Sequence, residues 1–493
     1  MMETNGDRNG VLAESQEQPH ISPSPKTEQP PAPYSIYNRN EKWILVGIVG
    51  VAGLFSPLPA NIYLPAIPTL TTVFNRSIED LNLTVTIYLA MQGCSPMLWG
   101  PLSDRLGLAL CPTEAFWLLL LLRATQAGGC ASMIALGAGT IGDIASANER
   151  GGFFGIFNLG PMLAPCIGPA VGGALSEHLG WRSIFWFLTL FSAACFIMIM
   201  LFLPETTRAL VGNGSIKLTN LVYLPLLPVV DKGNSKVVKS NKQAQLVTEE
   251  LNLKTRASAN PFRLLIYPDV ALILVYTGIV YAVNYTIMST ISSSFTIAYP
   301  FLTETLIGIC YLPTGLGMII GSTVTGKFLD FEYAKIKKTR DAIEKGDAST
   351  DDLDHGFPIE LARLRMVPIL LVVFVGCTIG WGWCIQTRSH IAGPLVLQVS
   401  LGWTSIAILN STMTLMIDII RDQSSGAIAC TNLVRCSLAA LLVSLIDRST
   451  RSLGHGWTYT LLGLCCGLLL LPIYAEIKLG PKWRRCRNEV TAT

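Results

Sequence analysis

The run from Phe153 to Leu175 confines this chain to a bilayer: it holds no charge and is long enough to cross about 30 Å of hydrocarbon as a helix. It nevertheless contains Pro161, Pro165 and Pro169, each lacking a backbone donor, and Gly160, Gly168, Gly172 and Gly173, which lack side chains. In lipid, the carbonyls that prolines release need partners on neighbouring helices. Gly168-x-x-x-Gly172 offers a flat face against which another helix can pack closely. Such a kinked, tightly packed helix is expected to serve as a pivot or seal; the plainer alternative is an ordinary small-residue packing stripe.

The rest of the chain agrees with a membrane origin. Its 493 residues are 50% hydrophobic and only 14% charged, with a mean hydropathy of +0.46. Soluble chains carry roughly a quarter charged residues, so most of this one belongs in lipid. The 13 cysteines are scattered, most of them inside apolar runs, without a Cys-x-x-Cys pair, and read as small buried hydrophobes and not as disulfides or metal ligands. Residues 1–38, rich in Pro, Ser, Gln and Glu, are expected to be a disordered tail without a signal-peptide apolar core.

Apolar spans follow at Trp43–Tyr63, Leu83–Leu102, Ala115–Ile141, Phe153–Leu175 and Ile184–Leu203. Beyond a connector at 204–266 come six more: Val270–Ser292, Thr305–Leu329, Met366–Ile385, Ile391–Ile417, Gly426–Ile446 and Trp457–Ala475. The expected domains are a transmembrane bundle at 39–203, a second at 267–478 carrying a charged loop at 330–363, and a tail at 479–493. The connector holds nine Lys and Arg against four acids, and the tail holds Lys478, Lys482, Arg484, Arg485 and Arg487. Basic residues near span ends stay on the cytosolic side, so connector, loop and both termini are expected there.

Six spans between connector and tail suit this orientation; five before the connector do not. One crossing is short, and the place is Ser103–Glu114, where about a dozen residues cannot supply the roughly 20 that a crossing helix needs.

Trp99-Gly-Pro-Leu-Ser-Asp-Arg-Leu-Gly107 closes the second span and resembles the loop after helix two of the major facilitator superfamily, with Gly100, Asp104, Arg105 and Gly107 in place. Leu108 and Ala109 stand where two basic residues are expected, and the chain passes at once to what resembles the end of helix three. Parity and resemblance thus locate the same gap: most of helix three is missing. Arg123-Ala-Thr-Gln126-Ala-Gly128-Gly129 resembles the family's helix-four pattern, and Gly160–Gly173 the helix-five pattern of its antiporters. Three further stretches are similar to the fungal twelve-helix drug:proton antiporters, quinidine-resistance-like subgroup: Ser56 to Pro68, Gly326-Lys327-x-x-Asp330 and Asn432-Leu-Val-Arg435-Cys.

The resemblance implies an all-α membrane fold of two six-helix halves, with about eleven spans here, and a substrate cavity between the halves near the midplane. Polar and aromatic side chains within spans are the candidates to line it: Asn61, Tyr63, Tyr88, Gln92, Gln126, Tyr276, Tyr281, Asn284, Tyr285 and Asn410. Aromatics with sparse hydrogen-bonding groups suit a bulky amphipathic ligand better than a sugar or an inorganic ion. Each of these side chains has packing as its plainer role, and for Tyr63 an interfacial aromatic belt is a further one.

Arg123 lies within a span, where a charge should face a cavity or partner, unless it reaches an interface. Arg435 poses the same question in the second half. Gating roles are implied for Gly100, Asp104, Arg105, Arg123, Pro165, Gly168, Pro169, Gly172, Gly173, Lys327, Asp330 and Arg435. No acid lies mid-span, so the proton-coupling candidates are Asp104, Asp143 and Asp418 at span ends, with stabilisation of one conformation as their alternative. Asn75-Arg-Ser77 and Asn82-Leu-Thr84 fit the glycosylation pattern in an expected outer loop.

Gly137-Ala-Gly139-Thr-Ile-Gly142 mimics a dinucleotide-binding fingerprint, but no strand precedes it; Gly321-x-x-x-x-Gly326-Lys327 mimics a phosphate loop, but Phe328 replaces the magnesium-binding hydroxyl. With no nucleophile–base pair and no His/Cys cluster, no enzyme, cofactor, metal or nucleic-acid role is expected. The expectation is a monomeric plasma-membrane exporter of small amphipathic compounds such as drugs, toxins or fungal secondary metabolites, coupled to protons. Two alternatives stay open: a truncated or mis-annotated product that does not transport, and an uptake carrier on the same fold.

Overall fold

Prolines decide the path of the first helix, and with it the frame of the molecule. In the computed structural model, which describes residues 35–98, 116–145, 147–206, 211, 265–326, 328, 359–420 and 424–492, α1 runs Arg39–Phe74. Glu41 Oε2 caps its start, accepting the Asn38 amide at 2.8 Å. Regular helix stops at Leu54, resumes as one turn at Leu58–Asn61 behind Pro57, tightens to a 3-10 turn at Leu64–Ala66, and ends as Ile67–Phe74. Asn75 then turns the chain in the left-handed region.

The chain returns in α2 (Ile78–Leu98), antiparallel to α1: Tyr63 bonds Thr84 at 2.8 Å, and Tyr88 and Gln92 bond Ser56. The end holding Arg39 is called here the terminal end and the end holding Phe74 the distal end. α3 (Phe116–Cys130) and α4 (Ser132–Ile144) follow, meeting at Ala131. Phe116 lies 6.4 Å from Phe74, ring to ring, and Arg123 reaches Pro59, so α3 also starts at the distal end. Consecutive helices α2 and α3 therefore run the same way. The sequence gap, with Gly100, Asp104 and Arg105, lies outside the described residues, as do Lys327, Asp330, most of the 204–266 connector and most of the 330–363 loop.

α5 (Ala147–Leu179) contains all three prolines of the apolar run yet is continuous, and α6 (Arg182–Phe202) completes the first bundle. Lys42 pairs with Glu149 at 2.7 Å, fixing the start of α5 at the terminal end. The second bundle comprises α7 (Pro268–Ala298), α8 (Glu304–Gly326), α9 (Val367–Gln386), α10 (Ala392–Ile419), α11 (Ser424–Leu468) and α12 (Leu470–Ala492). α11 is two helices folded back at Gly454, whose φ of 78° and ψ of 164° suit only glycine. Beyond it the chain retraces α9: Gly456 packs on Gln386 and Gly463 on Ile379. The last helix continues past residue 479, to Ala492.

The glycine stripe of α5 does what close packing requires. A Cβ on Gly172 would fall 1.6 Å from the Ile62 carbonyl of α1, and one on Gly173 2.3 Å from the Glu304 carbonyl of α8. The fit is reciprocal, because a Cβ on Gly308 of α8 would fall 2.4 Å from the Pro169 carbonyl. A Cβ on Gly168 would come within 3.2 Å of the Leu58 side chain, a tight contact that Leu58 would have to yield to. Small residues thus let α5 approach its own bundle on one side and the opposite bundle on the other.

Candidate functional site

A cavity of about 50 Å³ lies where the bundles meet, lined by Pro57, Ala60, Asn61, Gln92 and Pro165 of the first and by Tyr281, Asn284, Tyr285, Met288 and Met318 of the second. Five expected residues gather there: Asn61, Gln92, Tyr281, Asn284 and Tyr285. Pro165 joins them, so the α5 proline run borders the cavity as well as packing. Tyr281 and Tyr285 stand 5.9 Å apart on successive turns of α7.

The broken stretch of α1 consumes several of the polar groups around it. Asn61 Nδ2 donates to the Pro57 carbonyl at 2.7 Å, the Tyr88 hydroxyl to the Ser56 carbonyl at 2.9 Å, and Gln92 Nε2 to the same carbonyl at 3.0 Å. Arg123 Nη1 donates to the Pro59 carbonyl at 2.8 Å. Carbonyls outside a regular helical ladder need such partners inside a membrane. The Asn61 and Asn284 Oδ1 atoms and the Tyr285 hydroxyl remain buried without one.

Arg123 is fully buried, which excludes the interfacial reading. Its guanidinium lies 3.9 Å from the Tyr63 ring centroid and 5.0 Å from that of Tyr88, and Nη1 also donates to Gln126 Oε1 at 3.0 Å. A cation desolvated against aromatic faces gains about 2 kcal/mol from them. Tyr63 is accordingly no belt residue: it is buried and bonded to Thr84. Arg435 repeats the arrangement in the second bundle, 4.9 Å from the Tyr281 centroid with Nε on Asn432 Oδ1 at 3.0 Å. Asn432 in turn donates to the Gln92 carbonyl at 3.1 Å, across the seam.

Other expected residues stand elsewhere. Tyr63, Tyr88 and Gln126 form a layer behind the cavity wall, Tyr276 is buried toward Glu476, and Asn410 lies on α10 away from the lining. Asp418 pairs with Arg363 at 3.0 Å, and Asp143 is half-buried in the last turn of α4. Asn75 is exposed at its helix end. Asn82 requires a correction: it is buried in the second turn of α2, not on an outer loop, and its Nδ2 donates to Asp447 Oδ2, so the nitrogen a glycan would occupy is already engaged.

Acids of the distal end are what sequence reasoning missed. Here the bundles are clasped by Asn82 to Asp447, Thr69 to Glu304, the Thr305 amide to Glu177 at 2.9 Å, Arg451 to Glu79 at 3.2 Å, and Ser292 to the Pro65 carbonyl at 3.3 Å. Hydropathy hid them because each carboxylate lies beyond the end of an apolar run. The Thr305 side chain and amide, then Thr303, hold the Glu177 carboxyl below its ordinary value.

Seven of the described helices are long and apolar enough to cross a membrane, and a polar-aromatic cavity lies at the seam of two helical bundles, where membrane carriers hold their solutes. The chain belongs to the Major Facilitator Superfamily, whose family model matches residues 49–444. It is 33% identical to citrate exporter 1 of Aspergillus niger, over 95% of this chain and 92% of the relative. It is also 32% identical to the multidrug transporter AQR1 of Candida glabrata, over 94% of this chain and 80% of the relative. Identity to the MFS antiporter QDR2 of Candida albicans is 32%, over 90% of each chain.

Proposed function

We propose that this transporter is an exporter: a monomeric secondary active carrier of the plasma membrane that moves small amphipathic compounds outward in exchange for protons. In this reading the terminal end faces the cytosol, in keeping with the Lys and Arg of the connector and tail. The observation that carries the proposal is the cavity. Tyr281, Tyr285, Met288, Met318 and the two prolines give it an adaptable apolar wall, and Asn61, Gln92 and Asn284 give it few polar atoms. Relatives named as exporters, multidrug transporters and an antiporter support the direction and the exchange. Asp143 and Asp418, with Asp104 outside the described residues, remain the proposed proton-coupling groups. Cells expressing the chain should accumulate less of a transported amphipathic compound than control cells, and a protonophore should abolish the difference. Equal accumulation across a broad panel of compounds would sink the exporter reading.

A second reading rests on the parallel course of α2 and α3: the chain as written is a product that does not transport. Sequencing the transcript across codons 104–112 separates the two. About 20 additional codons would supply the absent crossing and leave every site intact. An unchanged message, with the protein retained in the endoplasmic reticulum and degraded, would favour the second reading.

A further inference from the structure

The two limbs of α11, folded back at Gly454, leave a crevice of about 110 Å³ beside α7. Leu442, Leu445 and Leu453 line it from the first limb, and Leu461 and Leu462 from the return limb. It shares no residue with the cavity at the seam. Leu445, Leu453 and Leu461 are 49%, 47% and 50% exposed on a helix apolar enough to cross the membrane, so the crevice opens sideways to lipid. It can seat one face of a molecule without enclosing it.

Two tryptophans set its height in the bilayer. Trp457 is exposed, its ring 5.8 Å from that of Trp383, and exposed tryptophans at helix ends mark the membrane interface. Thr458, next in the chain, lines the crevice at this level. Cys465 lines it two turns further into the bilayer, about 10 Å deeper by the rise of the helix.

One hydroxyl in the crevice is unspent. Thr286 Oγ1 donates to the Ala282 carbonyl at 2.7 Å, and Ser449 Oγ to the Leu445 carbonyl at 3.1 Å. Thr458 is only 3% exposed, yet its Oγ1 has no hydrogen-bond partner among the described residues. A buried hydroxyl left unbonded is costly, and the lipid phase holds little water to answer it. The occupant that fits is a lipid-phase molecule with one hydrogen-bonding group at the interface and an apolar body beneath it. An acyl chain would lose rotamer freedom at every bond it fixed there. A fused-ring sterol is rigid before it binds and carries a single hydroxyl at its interfacial end.

We propose that the crevice binds a membrane sterol, its hydroxyl bonded to Thr458 Oγ1 and one face of its rings laid on Leu445 and Leu461. The site is one of binding and does not depend on the direction or coupling of transport.

The test uses the purified full chain in detergent micelles. The probe is tritiated cholesterol, and the competitor is cholestene, which has the same rings without the hydroxyl. Cholesterol should bind saturably, and cholestene should compete about tenfold less well than unlabelled cholesterol. Thr458→Val keeps the shape and removes the hydroxyl, so it should weaken cholesterol about tenfold and leave cholestene unchanged. Leu445→Trp, which fills the crevice, should abolish cholesterol binding, and Leu441→Trp, on an exposed position outside the lining, should not. Should Thr458→Val fail to fold, the comparison of the two sterols on the unaltered chain still decides. No saturable cholesterol binding, cholestene competing as well as cholesterol, or unchanged cholesterol affinity in folded Thr458→Val or Leu445→Trp would each overturn the proposal. Displacement of cholesterol by dioleoylphosphatidylcholine at equal concentration would assign the crevice to an acyl chain and overturn it as well.

Discussion

Asp447 of α11 accepts the side-chain amide of Asn82 of α2 across the seam between the bundles, and both residues are buried. Its neighbour pair, Arg451 with Glu79, is exposed, so screening by solvent leaves it little to contribute. Closure of the distal end therefore rests more on the buried amide–carboxylate bond. Charge-assisted bonds of this kind contribute about 1.5–3 kcal/mol. Asp447→Asn should shift the balance toward a distally open form by about tenfold. A cysteine placed at Met288, in a background free of other cysteines, should then react faster with an impermeant thiol reagent added from the distal side. An unchanged rate would show that the bond does not hold the seam.

Gly172 tolerates no side chain, because a Cβ there would fall on the backbone oxygen of Ile62. Gly172→Ala must part α1 from α5 and should destabilise the protein by about 1–3 kcal/mol, lowering its thermal midpoint in detergent. Gly467→Ala, with nothing within 4 Å of the added atom, should leave the midpoint unchanged. Equal midpoints for the two variants would refute the packing argument.

Gly454 holds a backbone conformation closed to other residues. Gly454→Ala should cost about 1–3 kcal/mol and loosen the return of the chain along α9. Protease cleavage near residue 454 would report it. A cleavage rate equal to that of the parent chain would contradict the strain.

Glu177 makes one clasp pH-dependent. Its carboxyl titrates below its ordinary 4.5 because the charged form accepts from Thr305 and Thr303 in the closed seam. A depressed value means that the clasp is at full strength above 4.5 and is lost as pH falls through the lowered value. Acidifying the distal side should raise labelling of the Met288→Cys probe over that acid range. Glu177→Gln should remove the acid-dependent part, and identical pH profiles for the two proteins would rule the clasp out.

Much of this architecture is legible in the residues. The α5 glycines and prolines announce close packing in lipid, and the structure shows their partners, Ile62 and Glu304. Arg123 and Arg435 announce themselves because a charge within an apolar run demands a partner, although here the partners are tyrosine faces and amides. What cannot be read is which polar groups are spent on scaffold. Tyr88, Gln92 and Asn61 all bond to the broken stretch of α1, a bookkeeping of carbonyls that only the fold reveals. Met288 and Met318 carry no polar signal and look like any core residue. Asp447 lies one position beyond an apolar run, where hydropathy has no reason to bury it.

The exchange proposed above carries cargo out and protons in through the cavity at the seam. The most direct measurement places the purified chain in sealed vesicles, loads a labelled amphipathic compound on one side, and imposes a pH gradient. Under proton exchange the compound leaves against the proton flow, dissipating the gradient stops it, and Tyr285→Ala, which strips the cavity wall, slows it. Movement that ignores the gradient, or no movement beyond that of empty vesicles, would rule the exchange out.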